Sequence, residues 1–220
     1  VSSVYNFRIE IYFTSQLLIL FGSLVLGEVS FQHGLFSAMF LINFLAGLSL
    51  TWDNPKVAGF LVFLITLSIG FQIVSTLNAW QDGAFLGHTT VYLAFYATIT
   101  AKVMMDEWKA EIVDRQTIVG LMSGYLSLGL VAFFLFLAIE FYQPGSLHGL
   151  PETVDEYHKE GSILYFAFIT LMTVGYGEIV PAVPLAQKAA MLVGLAGQFY
   201  LVILTAVIVG KYLHQITTDQ

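Results

Sequence analysis

The stretch TLMTVGYGEIVP, Thr170 to Pro181, decides how the rest of the chain is read. Two glycines flank a tyrosine directly after an apolar run, and no charge appears before Glu178. Glycine-rich loops cradle phosphate in soluble proteins, but such a loop needs a preceding strand and usually a lysine after the glycines. Neither is present. A nicotinamide-binding fingerprint needs a βαβ unit, which the flanking sequence also lacks. A plain turn between helices is not normally so apolar. The solvent around the loop therefore has to be established first.

Composition establishes it. The chain is 57% hydrophobic and 10% charged, with a mean hydropathy of +0.80. A soluble domain is about 25% charged, and 220 residues with so few charges could not cover a water-facing surface. The expected class is an all-α polytopic membrane protein. The net charge of −7 carries little meaning by itself, because position decides what a charge does in a membrane. The absence of cysteine excludes disulfide and thiolate chemistry. No initiator Met, cleavable signal or targeting tail is visible. The chain starts in mid-flow at Val1 and reads as part of something longer, with a cytoplasmic regulatory domain after Gln220 as one expectation.

Runs long enough to span a bilayer need about 20 apolar residues. Six are read, over 9–27, 31–52, 57–79, 86–105, 117–141 and 184–213. The run 161–172 is too short to cross and is expected to be a re-entrant helix. Pro55, Pro144, Pro151, Pro181 and Pro184 all lie between or at the edges of these runs. Acidic residues fall in connections or near run ends, as the cost of burying charge in lipid requires. Trp52, Trp80 and Trp108 sit at run ends, where an aromatic belt forms. With a cytoplasmic N-terminus, Arg8, Lys56, Lys102, Lys109, Arg115 and Lys211 are inside, and only Lys159 and Lys188 are outside. That balance fits the positive-inside rule and puts both termini in the cytoplasm.

The expected organisation is a four-helix transmembrane part over 1–103, an interfacial linker helix over 104–116 and a third part over 117–220. In MMDEWKAEIVDR, residues 104–115, Met105, Trp108 and Ile112 recur at helical spacing, the pattern of an amphipathic helix on the inner membrane surface. The plainer alternative is a solvated continuation of the fourth helix.

Within this frame TVGYG, Thr173 to Gly177, resembles the selectivity filter of tetrameric potassium channels. The order over 117–213 (outer helix, extracellular stretch, short pore helix, filter, inner helix 184–213) is similar to that family's pore module. The first four helices resemble the six-transmembrane-helix subclass in count and orientation only. The resemblance implies that carbonyls of Thr173, Val174, Gly175 and Tyr176, with the Thr173 hydroxyl, coordinate dehydrated K⁺, and that Gly177 completes the filter. It implies a homotetramer in the cell membrane, K⁺ ions in the filter, no organic cofactor and no nucleic-acid partner. The glycines suit this use because they tolerate the positive φ needed to turn successive carbonyls one way.

Tyr165, Phe166, Ile169, Thr170, Met172 and Glu178 are the expected filter support. Many members of that family carry Asp after the filter, where this chain has Glu178, and two tryptophans where it has Tyr165 and Phe166. Phe166 has no donor for Tyr176, whereas Tyr165 can reach toward Glu178. Ile169 stands where some members have a carboxylate, so a carboxyl pair with Glu178 cannot form. Gly197, twenty residues after Gly177, matches the gating-hinge glycine, and Ala206 and Gly210 fall near the inner gate. Close helix packing is the competing role for Gly194 and Gly197. Glu152, Asp155, Glu156 and Glu160, set against Lys159, are expected to raise cation concentration at the outer mouth.

Voltage sensing in such channels uses basic residues at every third position of the fourth helix. FLGHTTVYLAFYATITAKVMM, residues 85–105, has no arginine and only Lys102 near its inner end. Weak or absent voltage dependence is expected, and the four-helix part reads as a scaffold. Asn43 and Gln72 are expected to make interhelical hydrogen bonds rather than a site. The competing functions are a ligand-gated potassium channel, a K⁺ transporter subunit and a non-conducting receptor. No catalytic constellation appears in the sequence, so an enzyme is not expected.

Overall fold

The computed structural model describes residues 7–26, 36–76, 81–110, 112–151 and 156–218. Trp80, Glu152 and Asp155 lie outside these residues. The helices are α1 (Arg8–Leu26), α2 (Phe36–Ser49), α3 (Pro55–Thr76), α4 (Gln81–Lys109), α5 (Arg115–Tyr142), α6 (Glu156–Leu171), α7 (Pro184–Phe199) and α8 (Thr205–Thr218). A π-helical turn, Tyr200–Leu204, joins α7 to α8. Two short strands, β1 (Leu147–His148) and β2 (Val180–Pro181), pair antiparallel.

Three of the described segments are long and apolar enough to cross a membrane: Pro55–Val74, Arg115–Tyr142 and Pro184–Thr217. Among the described residues the regular structure is helical apart from the β1–β2 pair, and these three apolar helices are those expected of a membrane protein. Local chemistry explains where they start. Asn54 Oδ1 accepts from the backbone N–H of Lys56 at 3.2 Å, and Pro55 opens α3, where its missing N–H costs nothing. Asp114 Oδ1 accepts from the Thr117 N–H at 2.9 Å and caps α5. That N–H holds the Asp114 carboxyl below its ordinary range.

The chain divides into two units. The first comprises 1–65, 98–127 and 207–220. Its buried polar contacts join α1, α2 and the first half of α5. The Tyr12 hydroxyl and Ser127 Oγ lie 2.8 Å apart, Gln16 Nε2 donates to Ser127 Oγ at 2.7 Å, and Asn43 Nδ2 donates to Ser15 Oγ at 2.8 Å. Interhelical bonds of this kind average about 0.6 kcal/mol. Asn43 is thus a structural residue, while Gln72 is exposed. Arg8 pairs with Asp53 at 3.1 Å.

The second unit comprises 66–97 and 128–206. Aromatic side chains fill its core. Phe134 stacks on Tyr92 and Tyr96 with centroids 5.0 and 5.5 Å apart, and Phe85 lies 4.6 Å from Phe141. Offset pairs of this sort contribute about 0.5–1.5 kcal/mol each beyond their burial.

Several element boundaries differ from the sequence reading: α4 begins at Gln81 rather than 86, and the inner helix runs on to Thr218 through the π-helical turn. Among the described residues of 104–116 no linker helix stands apart from α4. Instead α4 runs unbroken to Lys109, and 112–114 are non-helical before α5. Met104 to Lys109 contains no breaker, and the Lys102–Asp106 ion pair, spaced i,i+4, carries the helix through. The short helix also reaches back to Glu156 rather than 161, with Gly161 carried inside it.

Candidate functional site

The site is built where α6 ends. Val174 N–H donates to Ile169 O at 2.9 Å and Thr173 N–H to Thr170 O at 3.0 Å. This 6→1 and 5→2 pair closes the helix as a Schellman motif with Thr173 at the left-handed position. Glycine normally fills that position, but Thr173 adopts φ 57°. A β-branched residue there is strained, and strain of about 1–3 kcal/mol persists only where the surroundings over-determine it.

Gly175 and Gly177 follow with φ of 56° and 95°, while Val174 and Tyr176 between them are not in the positive region. Successive carbonyls of an ordinary extended strand face opposite ways. Alternating the sign of φ removes that alternation and lets consecutive carbonyls converge on one side. A Cβ at Gly175 or Gly177 would meet nothing within 4 Å, so the glycines serve backbone conformation rather than room. The segment from Met172 to Glu178 is exposed throughout this single chain. Uncovered backbone of this kind is tolerated at membrane depth only where it is buried in protein or lines water. The α6 macrodipole ends here with its partial negative charge, which favours a cation.

The flanking residues fall into two groups. Tyr165 donates its hydroxyl to the Glu178 carboxylate. Phe166, Ile169 and Leu171 are buried, and the Phe166 ring meets Phe136 of α5 edge-on at 4.8 Å. Thr170 is half-buried and supplies a carbonyl to the Schellman turn. Met172 is exposed and its N–H continues the helix to Phe168 O at 2.9 Å.

Two participants escaped the sequence reading. Gln198 Nε2 of α7 donates to Thr173 Oγ1 at 3.1 Å. A polar residue in the middle of the long apolar run 184–213 was the available signal. Glu140, 4% exposed at the end of α5, accepts from Gly145 N–H at 3.0 Å, Ser146 Oγ at 2.8 Å, Leu147 N–H at 3.0 Å and Lys159 Nζ at 2.9 Å. Its signal was an acid inside the apolar run 117–141. Through this carboxylate the 143–149 loop is fixed, and the loop in turn holds the strand leaving the site. Leu147 pairs with Pro181, Ala182 N–H donates to Ser146 O at 2.8 Å, and Gly149, at φ 92°, lets the Glu178 carbonyl approach.

Gly197 packs hard against α6. A Cβ there would lie 2.2 Å from Leu171 O, so its bare backbone lets α7 approach the base of the site. The departure from α-helical geometry comes at Tyr200–Leu204. Ala206 and Gly210 are both exposed, and Gly210 has open space around it.

Comparison with known families reaches these same elements. Residues 126–214 match the family model described as Ion channel. The match begins inside α5, takes in α6 and the Thr173–Gly177 segment, and ends inside α8. It supports an ion channel domain in a membrane, a class whose members typically assemble as oligomers. Neither the curated proteins nor the solved structures give a match to this chain.

Proposed function

We propose that the protein is a potassium-selective channel that conducts K⁺ passively through a pore shared by four copies of this chain. The observation that carries the reading is the backbone of Thr173, Gly175 and Gly177, all at positive φ at the mouth of a helix C-terminus. An ion that loses its water needs oxygens at repeated, similar geometry, and a ring of backbone carbonyls supplies them. In this reading the carbonyls of Thr173 to Tyr176 and the Thr173 hydroxyl face K⁺. One chain offers one strand of oxygens, so a ring requires closed symmetry with the strand on the axis. Six crossings, with both termini cytoplasmic, complete the proposed topology.

Voltage dependence is proposed to be weak or absent. Lys102 is buried and engaged by Asp106, so the basic residue nearest the inner end of α4's apolar run has its charge already balanced. Gating by a cytoplasmic ligand is the second reading, favoured by the lack of arginine in residues 85–105 of α4.

The test is ion flux. Protein reconstituted into liposomes is expected to take up Rb⁺ and K⁺ in a Ba²⁺-sensitive manner and to exclude Na⁺. Equal Na⁺ uptake, or no uptake of any cation, contradicts the proposal.

A further inference from the structure

At the inner end of α4 a cavity of about 250 Å³ is lined by Arg8, Asp106, Glu107, Asp114, Gln116 and Thr117 among others. The Glu107 carboxyl sits against the backbone of α5. A Cβ built on Gly120 would lie 1.9 Å from Glu107 Oε1 and 2.6 Å from its carboxyl carbon. The carboxyl thus occupies the space that a side chain at 120 would fill. Immediately beyond Glu107, Lys211 of α8 donates to Trp108 O at 2.6 Å and Ala110 O at 2.7 Å. Val113 N–H donates to Gln215 Oε1 at 3.1 Å. Glu107 is therefore held against α5, while Trp108, Ala110 and Val113 are held by α8 through Lys211 and Gln215.

We propose that Glu107 is a proton-binding site on the cytoplasmic face, and that its protonated carboxyl, seated over Gly120, keeps this clasp between α4, α5 and α8 closed. The charged groups facing it are Arg8 from α1, Asp106 on its own helix, Asp114 ahead of α5 and Lys211 from α8. Arg8 is engaged by Asp53 and Asp106 by Lys102. Burial, then the Asp106 and Asp114 carboxylates, push the Glu107 carboxyl up to about 8, against the opposing pull of Lys211.

The direction of the response follows. A Glu released into water titrates near about 4.3. The seated arrangement is therefore most favoured at acid pH. It loses preference by about tenfold per pH unit as pH rises from there toward 8, and the loss levels off above it. Because α8 continues the inner helix, opening the clasp frees the end of the helix that lines the proposed pore. This coupling to conduction rests on the channel reading; the proton site does not.

The test has two readouts on the full chain in lipid nanodiscs or liposomes. The first is ¹³C NMR of glutamate side-chain carboxyls, with Glu107 assigned by its loss in Glu107→Gln. A midpoint near 8 is expected, and a midpoint in the ordinary range, near about 4.3, overturns the site. Gly120→Ala should expel the carboxyl and return its midpoint toward the ordinary range; an unmoved midpoint also overturns it. The second readout is Rb⁺ flux against internal pH from 5 to 9. Wild type should change monotonically by several-fold and flatten above pH 8, while Glu107→Gln holds the pH 5 level throughout. A Glu107→Gln profile that follows wild type overturns the coupling. Absence of any flux contradicts the channel reading, and the NMR titration then still decides the proton site.

Discussion

Gln198 Nε2 donates to Thr173 Oγ1 at 3.1 Å, across twenty-five residues of sequence. The bond ties the inner helix to the one β-branched residue at positive φ in the described chain. It orients the hydroxyl proposed to face K⁺. A neutral hydrogen bond contributes about 0.5–1.5 kcal/mol. Gln198→Leu should therefore weaken Ba²⁺ inhibition of Rb⁺ flux by roughly 2–10-fold while the protein remains folded. Unchanged Ba²⁺ sensitivity would show that Gln198 does not act on the ion site.

Two glycines of the inner helix should respond oppositely to alanine. At Gly197 the added methyl collides with Leu171 O at 2.2 Å. The Leu171 side chain can turn aside, but its carbonyl is backbone, so α6 and α7 must separate. Overpacking of this kind costs about 1–3 kcal/mol, and Gly197→Ala should lower thermal stability in detergent and impair K⁺ over Na⁺ discrimination. Gly210 has nothing within 4 Å. Gly210→Ala should be neutral or stabilising by up to about 1 kcal/mol through helix propensity. A Gly197→Ala protein of wild-type stability and selectivity, altered only in opening, would favour the hinge role instead.

Much of this site was legible in TVGYG itself, because positive φ is a demand that only certain residues meet, and Gly175 and Gly177 advertise it. Of the six apolar runs read from the sequence, 57–79, 117–141 and 184–213 fall on helices long and apolar enough to cross a membrane. The Tyr165–Glu178 hydrogen bond was within reach of the resemblance, which set Tyr165 at a position that braces the filter. Gln198 and Glu140 were not, since their partners are fixed by how helices and loops pack and not by any local pattern. The extent of α4 was misread for a related reason. The 104–109 stretch has the same amphipathic spacing whether it lies on a membrane or simply prolongs a helix, and only the unbroken backbone to Lys109 distinguishes the two. The positive φ of Thr173 could not be foreseen, because threonine is the wrong residue for it.

Glu140 carries more hydrogen bonds than any single support residue inferred from the sequence. Glu140→Gln keeps the shape but removes the charge that Lys159 meets at 2.9 Å and turns one acceptor into a donor. Lys159 is partly exposed, which limits the loss to about 1–3 kcal/mol. The expected result is a lower melting temperature with the 143–149 loop more open to proteolysis. A melting curve identical to wild type would contradict the role given to this carboxylate.

The voltage response is expected to be shallow. Each elementary charge moved through the membrane field is worth about 2.3 kcal/mol per 100 mV, and Lys102 is buried against Asp106. Patch recordings should give a conductance that varies little with voltage, and Lys102→Gln should leave that slope unchanged. A steep curve with several gating charges per subunit would overturn this part of the account.

The central claim is that the Thr173–Gly177 backbone selects K⁺. The most direct measurement is the reversal potential of the purified protein in planar bilayers, with K⁺ on one side and Na⁺ on the other. The account predicts a reversal strongly displaced toward the K⁺ equilibrium potential, and loss of that displacement in Gly175→Ala, whose φ of 56° a side chain disfavours. A wild-type reversal near zero would contradict it.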